Sequence, residues 1–483
     1  MKAAGFALPC RPRRARWHRG SVTVLGLALI AGCAQPPPAA MPPVSGVRYE
    51  FVVLGEEGQA VARAITSDAS CPAIEFDGRA QPMDVRARPA LVPERPQRFG
   101  AGVSKAAAFP VLTCEKAIPG GVARAAIDGR PLRLPKAEPQ RIVILGDTGC
   151  LLLARGNAYQ ACNDPAAWPF PTVADSAAAA APDLVIHVGD YHYREDPCPP
   201  GNEQCAGSPW GYGWDAWEAD LFAPSRRLLA AAPWIVVRGN HESCSRAGQG
   251  WWRFLDPRPL AARRTCDDPA DDATGDYSEP YAVPLSTAVA TDTQFIVFDS
   301  SRVGVTPLAT SDPMYRNYLA QFERAFALAA RRPDSFFMLH HPVLAFAANP
   351  AKPEAPYPGN AGLQSVLQTL YPAALFPPTV QASLAGHNHL FEVVSFSTPH
   401  PAQFVLGNGG DWADVPLRKP LPAGITPAPG AIVASMVALN EFGFTTIERA
   451  AAGWRFVARD TRGVPMATCT LDRKRANCVL QGG

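Results

Sequence analysis

Residues 184–193 have the sequence LVIHVGDYHY, in which a short apolar run passes directly into Gly189, Asp190 and Tyr193. Compact apolar runs that end in a polar motif also occur at 142–145, 234–237 and 336–339. Runs of this length and composition are typical of buried strands. Helix-like stretches separate them, at 215–232 with an interruption at Pro224, at 318–331 and at 361–370. This alternation predicts an α/β domain.

Five polar motifs in the sequence each stand at the end of an apolar run. They are Gly146-Asp147-Thr148-Gly149, Gly189-Asp190-Tyr191-His192-Tyr193, Gly239-Asn240-His241-Glu242, His340-His341-Pro342 and Gly386-His387-Asn388-His389. In open α/β sheets, ligands bind beyond the carboxyl ends of the strands, so motifs distant in sequence are expected to meet there. Carboxylate, phenol, amide and imidazole groups together indicate a site for two metal ions.

The distribution of histidine strengthens this prediction. A lone histidine is usually an ordinary polar residue, but most of the nine in this chain fall in or beside the motifs. The motif histidines are His241, His340, His341, His387 and His389, and His187 and His192 flank Asp190. For His341, contact with a substrate and simple packing are both open.

The motif set resembles the calcineurin-like metallophosphoesterase superfamily, and more closely its purple acid phosphatase branch. That branch has Asp-x-Gly, Gly-Asp-x-x-Tyr, Gly-Asn-His-Asp/Glu, Val-x-x-His and Gly-His-x-His in this order. Four of the five motifs are intact, and the fourth has Phe337 in place of valine. The resemblance covers about residues 141–392. It implies an α/β fold of two packed mixed β-sheets flanked by helices, a four-layer sandwich.

One position separates the branches of the superfamily. Most members have a metal-binding histidine where this chain has Gly149, which offers no ligand. In the purple acid phosphatase branch a tyrosine compensates, and Tyr193 occupies that motif position. A phenolate is a hard, charged donor that favours a trivalent ion. The alternative for Tyr193 is a packing role.

The resemblance also implies a ligand set. Metal one, Fe(III), would be held by Asp147, Asp190, Tyr193 and His389. Metal two, a divalent Fe, Zn or Mn ion, would be held by Asp190, Asn240, His340 and His387. Asp190 would bridge the two ions.

The implied reaction is hydrolysis of a small phosphate monoester by in-line attack of a metal-bound hydroxide. His241 would be the catalytic residue that protonates the leaving oxygen or stabilises the transition state, and Glu242 is a candidate to orient it. The alternative for His241 is a hydrogen bond that only supports the metal ligands. A phosphodiesterase of the same superfamily is the near alternative. A non-catalytic binding lipoprotein is the alternative from a different class.

The N-terminal region predicts export. Residues 1–32 carry six Lys/Arg and no acid, and a short apolar run at 22–30 comes after the basic residues. Residues 30–33 resemble a bacterial lipobox with Cys33 as the lipidated residue. The predicted divisions are a signal peptide with lipobox (1–33), a linker (34–46), a small N-terminal β-domain (47–139) and a catalytic domain (140–483). The expected location is the periplasm or outer membrane of a bacterium, with membrane association through Cys33. Ordinary signal cleavage nearby, with Cys33 incidental, is the alternative.

The charge balance argues against a nucleic-acid partner. The formal net charge of the chain is +2, and without the six cations of residues 1–32 it is −4 for the remainder. No basic face is therefore indicated.

The cysteines predict disulfides. Apart from Cys10 and Cys33, ten cysteines fall into close sequential pairs, and an even set in an exported chain favours disulfide bonds over free thiols. The hypothesis of nearest-neighbour pairing gives Cys71–Cys114, Cys150–Cys162, Cys198–Cys205, Cys244–Cys266 and Cys469–Cys478. Zinc-binding thiolates are the alternative, although no Cys-x-x-Cys spacing occurs.

Overall fold

Two large β-sheets, of 11 and 7 strands, form the centre of the fold. The computed structural model describes residues 46–95, 104–285 and 293–481. The predicted signal peptide, Cys33 and all but the last residue of the predicted linker lie outside these ranges. Among the described residues, no helix combines the length and the apolar character needed to cross a bilayer.

The segment before residue 140 is β-rich, as expected. Its strands are β1 (Val47–Leu54), β2 (Ala60–Thr66), β3 (Ala73–Phe76), β4 (Arg79–Pro82), β5 (Asp84–Ala87), β6 (Ala90–Val92), β7 (Ala107–Phe109), β8 (Leu112–Ala117), β9 (Ala125–Ile127) and β10 (Arg130–Leu132). Of these, β1, β2, β5 and β8 form one end of the 11-stranded sheet. The proposed division at residues 139 and 140 therefore runs through a shared sheet, and the separate N-terminal domain stays a prediction.

The remaining strands complete the 11-stranded sheet and form the whole 7-stranded sheet, except that two short ones pair in a separate two-stranded sheet. They are β11 (Arg141–Leu145), β12 (Leu152–Leu153), β13 (Ala158–Tyr159), β14 (Leu184–His187), β15 (Trp234–Val236), β16 (Tyr281–Pro284), β17 (Thr293–Val297), β18 (Asp334–Met338), β19 (Val380–Ala385), β20 (Phe391–Phe396), β21 (Ala402–Leu406), β22 (Val433–Leu439), β23 (Gly443–Arg449), β24 (Trp454–Asp460), β25 (Pro465–Asp472) and β26 (Arg475–Leu480). The 11-stranded sheet has the order β26-β25-β24-β23-β11-β14-β15-β1-β2-β8-β5, and the 7-stranded sheet has the order β16-β17-β18-β19-β21-β20-β22. Strands β12 and β13 form the two-stranded sheet.

The helices are short apart from one. They are α1 (Phe170–Ala179), α2 (Trp214–Trp217), α3 (Arg226–Leu229), α4 (Gly248–Gly250), α5 (Asp272–Gly275), α6 (Pro313–Ala329) and α7 (Ala361–Leu370). Single π turns lie at Glu218–Phe222 and Trp251–Leu255, and 3₁₀ turns at Glu56–Gly58, Arg155–Asn157, Asn240–Glu242 and Pro269–Asp271. The predicted helix at 215–232 is thus broken into α2, a π turn and α3, while α6 begins earlier than predicted.

Alternation along the strands creates the layers. In β11, Ile142 and Ile144 belong to the core between the two sheets, which also contains Phe336 and Phe404 of the 7-stranded sheet. Val143 and Leu145 face the other way and pack with the first helices of the chain. The outer face of the 7-stranded sheet is covered by α6 and α7. The result is the predicted helix–sheet–sheet–helix sandwich.

Parallel pairing brings the motifs to one edge. Strand β14 is parallel to both β11 and β15, with Leu145 opposite His187 and His187 opposite Val236. In the other sheet β18 is parallel to β19, with Met338 opposite Leu384. Because parallel strands end on the same side, all five motifs lie at the carboxyl ends of central strands.

A buried acid in the second sheet gives a prediction on stability. Glu392 of β20 is fully buried, and its carboxylate accepts the Phe346 backbone N–H at 3.1 Å. Burial raises the pKa of Glu392 from 4.5 to about 8, although the Phe346 N–H lowers it. Between these values the folded protein holds a proton that the unfolded chain has lost, so this group's contribution to stability falls as pH rises.

We expect Glu392→Gln to remove this dependence. The free energy of unfolding of both proteins is measured by urea titration between about pH 5 and 7.5. Its decrease with rising pH should be smaller for Glu392→Gln than for the wild type, by about 1.4 kcal/mol per pH unit. The amide oxygen can still accept from Phe346. Identical slopes for the two proteins would contradict the prediction.

Candidate metal centre

The turns that follow the strands are conformationally strained. Asp147, Asp190 and His387 have positive φ angles of 56°, 56° and 72°, a region that side chains other than glycine rarely adopt and that clusters at functional sites. Gly239 permits one of these turns, because a Cβ there would lie 2.1 Å from Asp190 Oδ1. The glycines of the motifs therefore make room for the ligand side chains.

The four residues predicted for metal one converge on the phenol of Tyr193. Its hydroxyl oxygen lies 3.1 Å from Asp147 Oδ1, 2.9 Å from Asp190 Oδ2 and 3.0 Å from His389 Nε2. Asp147, Asp190 and Tyr193 are buried, whereas His389 is partly accessible. One small space is thus surrounded by three oxygen donors and one imidazole.

The residues predicted for metal two lie beside them. Asn240 Oδ1 is 3.1 Å from His340 Nε2 and 3.0 Å from His387 Nδ1. His340 Nε2 is also 3.0 Å from Asp190 Oδ2. Asp190, His340 and His387 each offer a ligand atom within 4.8 Å of the others. Asp190 is therefore common to both groups, and all seven predicted ligands come together.

The donor set fits a pair of cations. Carboxylate, phenol, amide and imidazole groups suit hard and borderline metal ions. Burial raises the pKa of Asp147 to about 7, even though His340 and His389 lower it. Burial, Asp190 and Asp147 raise the pKa of Tyr193 well above 10. Positive charge in this space would reverse both effects by favouring the ionised carboxyl and phenol.

Gly149 and Tyr193 are linked by packing. A Cβ at position 149 would lie 2.7 Å from Tyr193 N and 2.7 Å from Asp220 Oδ2. Asp220 is fully buried and accepts the backbone N–H groups of Cys150 at 3.0 Å and Tyr193 at 2.8 Å. The missing side chain at 149 thus allows the tyrosine to occupy its position.

His241 lies over the ring of Tyr193, with ring centroids 3.9 Å apart. Its Nδ1 is 2.8 Å from Glu195 Oε1, and its Nε2 is 3.9 Å from Asp190 Oδ2. Glu195 also pairs with Arg246 and accepts from Tyr212 Oη at 3.1 Å. Although burial opposes it, Arg246 and His241 hold the pKa of Glu195 below its ordinary value. Glu195 is therefore an ionised partner that fixes the His241 ring.

This arrangement corrects the hypothesis that Glu242 orients His241. The Glu242 carboxylate instead accepts the backbone N–H groups of Asp190 at 3.1 Å, Tyr191 at 2.9 Å and Gly239 at 3.0 Å. It joins two motif loops to each other. His341 is buried with Nδ1 3.1 Å from Ser300 Oγ, which favours its packing role.

Asp220, Glu195 and a further buried acid, Asp411, were not identified from the sequence. Asp220 and Glu195 carry no motif of their own, and only their tertiary contacts reveal them. Asp411 follows the Gly407–Gly410 turn, a position that gave no chemical signal.

The disulfides have the predicted connectivity. Cys71–Cys114, Cys150–Cys162, Cys198–Cys205, Cys244–Cys266 and Cys469–Cys478 are all bonded. Cys150 lies three residues after Asp147, and Cys244 three residues after His241. These two bonds brace loops that carry site residues.

The fold resembles those of known phosphoesterases. The calcineurin-like phosphoesterase family model matches residues 140–391. The fold is similar to a purple acid phosphatase, PPD1 of yellow lupin seeds, with a TM-score of 0.50, 14% identity and coverage of 90% of this chain and 74% of that one. It is also similar to PhoD, with a TM-score of 0.51, 12% identity and coverage of 93% and 94%. No curated protein sequence matches the chain significantly. On the family match, which spans just over half of its length, the chain belongs to the calcineurin-like phosphoesterase family and is a hydrolase.

Proposed function

We propose that the protein is a phosphomonoesterase with two metal ions, of the purple acid phosphatase type. The observation that carries this proposal is the sharing of Asp190. Its Oδ2 lies 2.9 Å from Tyr193 Oη on one side and 3.0 Å from His340 Nε2 on the other. A carboxylate in this position can serve two ions at once.

Asp147, Asp190, Tyr193 and His389 would hold Fe(III), and Asp190, Asn240, His340 and His387 would hold a divalent Fe, Zn or Mn ion. The phenol and two carboxylates give the first group more negative charge than the second, where Asn240 supplies a neutral oxygen. When bound, the two ions supply Lewis-acid activation of water and of the phosphoryl group.

The protein's own side chains complete the reaction. Asn240, His387 and His389 are partly accessible, so they mark the side from which a phosphate ester enters. His241 Nδ1 lies 2.8 Å from Glu195 Oε1, and its Nε2 lies 2.9 Å from Arg246 Nη2 and 3.9 Å from Asp190 Oδ2. We infer that Nε2 donates a proton to the leaving oxygen.

The monoester preference is supported by the guanidinium of Arg246 beside the site. Arg246 Nη2 lies 2.8 Å from His241 Nδ1, so a guanidinium and an imidazole adjoin the shared carboxylate. A monoester carries more negative charge than a diester and gains more from such neighbours. The test is a panel of aryl phosphate monoesters and diesters, assayed across pH with parallel metal analysis.

We expect two metal ions per chain and a kcat/KM at least about tenfold higher for monoesters, which corresponds to about 1.4 kcal/mol. A higher kcat/KM for diesters would assign the phosphodiesterase alternative. Turnover of neither class by a fully metal-loaded protein would favour a non-catalytic binding lipoprotein.

Glu195→Gln tests the role assigned to His241. We expect kcat for an alkyl phosphate, whose leaving group needs a proton, to fall on the order of 10²-fold. The loss should be much smaller for p-nitrophenyl phosphate, because that leaving group departs without protonation. The exposed Glu203 lies in the same loop, and Glu203→Gln is the matched control. Equal losses for both substrates would contradict a role in proton donation.

We further propose that the enzyme is an exported lipoprotein carrying its lipid on Cys33. Five disulfide bonds suit an oxidising compartment, and residues 30–33 have the lipobox pattern. Labelling of a bacterial expression strain with a palmitate analogue should mark the wild type but not Cys33→Ser. Equal labelling of both proteins, or of neither, would contradict the proposal.

A further inference from the structure

Asp411 is a buried acid that the proposed reaction does not use. It follows the turn at residues 407–410 after β21, and its backbone N–H donates to Asp147 O at 2.9 Å. The residue is fully buried, and within the described residues the one ion pair of its carboxylate is with His389. An isolated buried carboxylate is costly unless a positive group compensates it. Its presence beside Asp147 therefore needs an explanation.

The nearest positive group is the imidazole of His389. Asp411 Oδ2 lies 3.3 Å from His389 Nδ1, which is also 2.8 Å from Trp412 O. The other ring nitrogen, Nε2, faces Tyr193 Oη at 3.0 Å. The ring thus lies between Asp411 and the donors proposed for metal one. With Nδ1 held by these two oxygens, Nε2 is left to face the metal space.

The surroundings of Asp411 are otherwise negative. Asp147 lies on the same side of the site, and Asp414 Oδ2 accepts the His389 backbone N–H at 2.9 Å. Among the described residues, no lysine or arginine forms an ion pair with Asp411. With these carboxyl groups ionised, their charge would be balanced better by a trivalent than by a divalent ion, because the attraction scales with charge.

We propose that Asp411 is a positioning residue that fixes His389 for metal one and makes this site selective for a trivalent ion. This inference rests on the proposed function, since it presupposes metal one. A carboxylate behind a metal-bound histidine sets the ring orientation and raises the basicity of the ligand. Here the same carboxylate adds a buried negative charge, which attracts a trivalent ion more strongly than a divalent one.

The test is metal binding by Asp411→Asn, which keeps the shape of the side chain and removes its charge. Metal-free protein is titrated separately with Ga(III), a trivalent ion without redox chemistry, and with Zn(II). Ionisation of Tyr193 is followed by its ultraviolet difference spectrum, so that only metal one is reported. Tyr193→Phe establishes which part of the spectrum belongs to that residue. Glu392→Gln, which removes another buried carboxyl group, is the matched control.

We expect Asp411→Asn to weaken Ga(III) binding by about 10- to 100-fold and Zn(II) binding distinctly less, while Glu392→Gln binds both ions like the wild type. Unchanged Ga(III) binding by Asp411→Asn, or equal weakening for both ions, would overturn the inference. If the wild type itself shows no Tyr193 signal with either ion, metal one as proposed is wrong, and the inference falls with it. Circular dichroism of the metal-free variant checks its folding, and Asp411→Ser replaces it if the asparagine variant does not fold.

Discussion

Asp190→Ala is expected to lose both metal ions and phosphate-ester turnover together. The Asp190 carboxylate contacts the Tyr193 phenol on one side and His340 on the other, and it also accepts the His241 backbone N–H at 2.9 Å. Both side-chain contacts are made by the same carboxylate oxygen, Oδ2. Removing it should lower kcat/KM on the order of 10³-fold or more, since preorganised electrostatic elements contribute on this scale.

Metal analysis and kinetic assays of the same preparation measure this effect. Asp175→Ala is a suitable control, because Asp175 is exposed and its ion pair, at 3.2 Å, is with the exposed Arg227. Retention of two metal ions by Asp190→Ala, or activity like that of the wild type, would refute the shared carboxylate.

Tyr193→Phe is expected to abolish the visible colour of aerobically purified protein. A phenolate bound to Fe(III) produces a charge-transfer band, and phenylalanine cannot form one. The variant should also contain less iron at the site of metal one, because the substitution removes a hard anionic donor. Absorption spectra and iron content, measured on the same samples, test the prediction.

Tyr191→Phe is the matched control for the colour. Tyr191 is buried two residues away, and its hydroxyl donates to Val237 O at 3.0 Å rather than to a ligand. This variant should keep the band. A wild-type protein that is fully loaded with iron, active and colourless would contradict the role of Tyr193.

The architecture follows from features that are local in the sequence. Each apolar run, such as residues 142–145, supplies both faces of a buried strand, and the polar motif after it indicates where the strand ends. Parallel pairing then brings the motifs together, so their meeting was predictable from their positions after the strands, whereas the ligand set was implied by the family resemblance. The start of α6 also has a local signal, because the Asp312 side chain accepts from Met314 N at 2.8 Å and Pro313 occupies the first turn. The predicted start at residue 318 missed this signal.

Long-range pairing was harder to predict. The strands β1, β2, β5 and β8 join the 11-stranded sheet. The alternation of apolar and polar residues within each strand does not indicate which other strand it pairs with. The supporting acids Glu195, Asp220 and Asp411 were missed for a related reason. Each acts through contacts with residues far away in sequence, as when Asp220 accepts from Cys150 N at 3.0 Å. Single acids without a spacing pattern carry no such information.

Anomalous X-ray diffraction from crystals of the metal-loaded protein tests the two-metal centre most directly. We expect two anomalous peaks about 3.5–4 Å apart, both within coordinating distance of Asp190, with the iron-edge signal on the side of Tyr193. A single peak, or peaks remote from Asp190, would contradict the shared-carboxylate centre on which the proposed function depends.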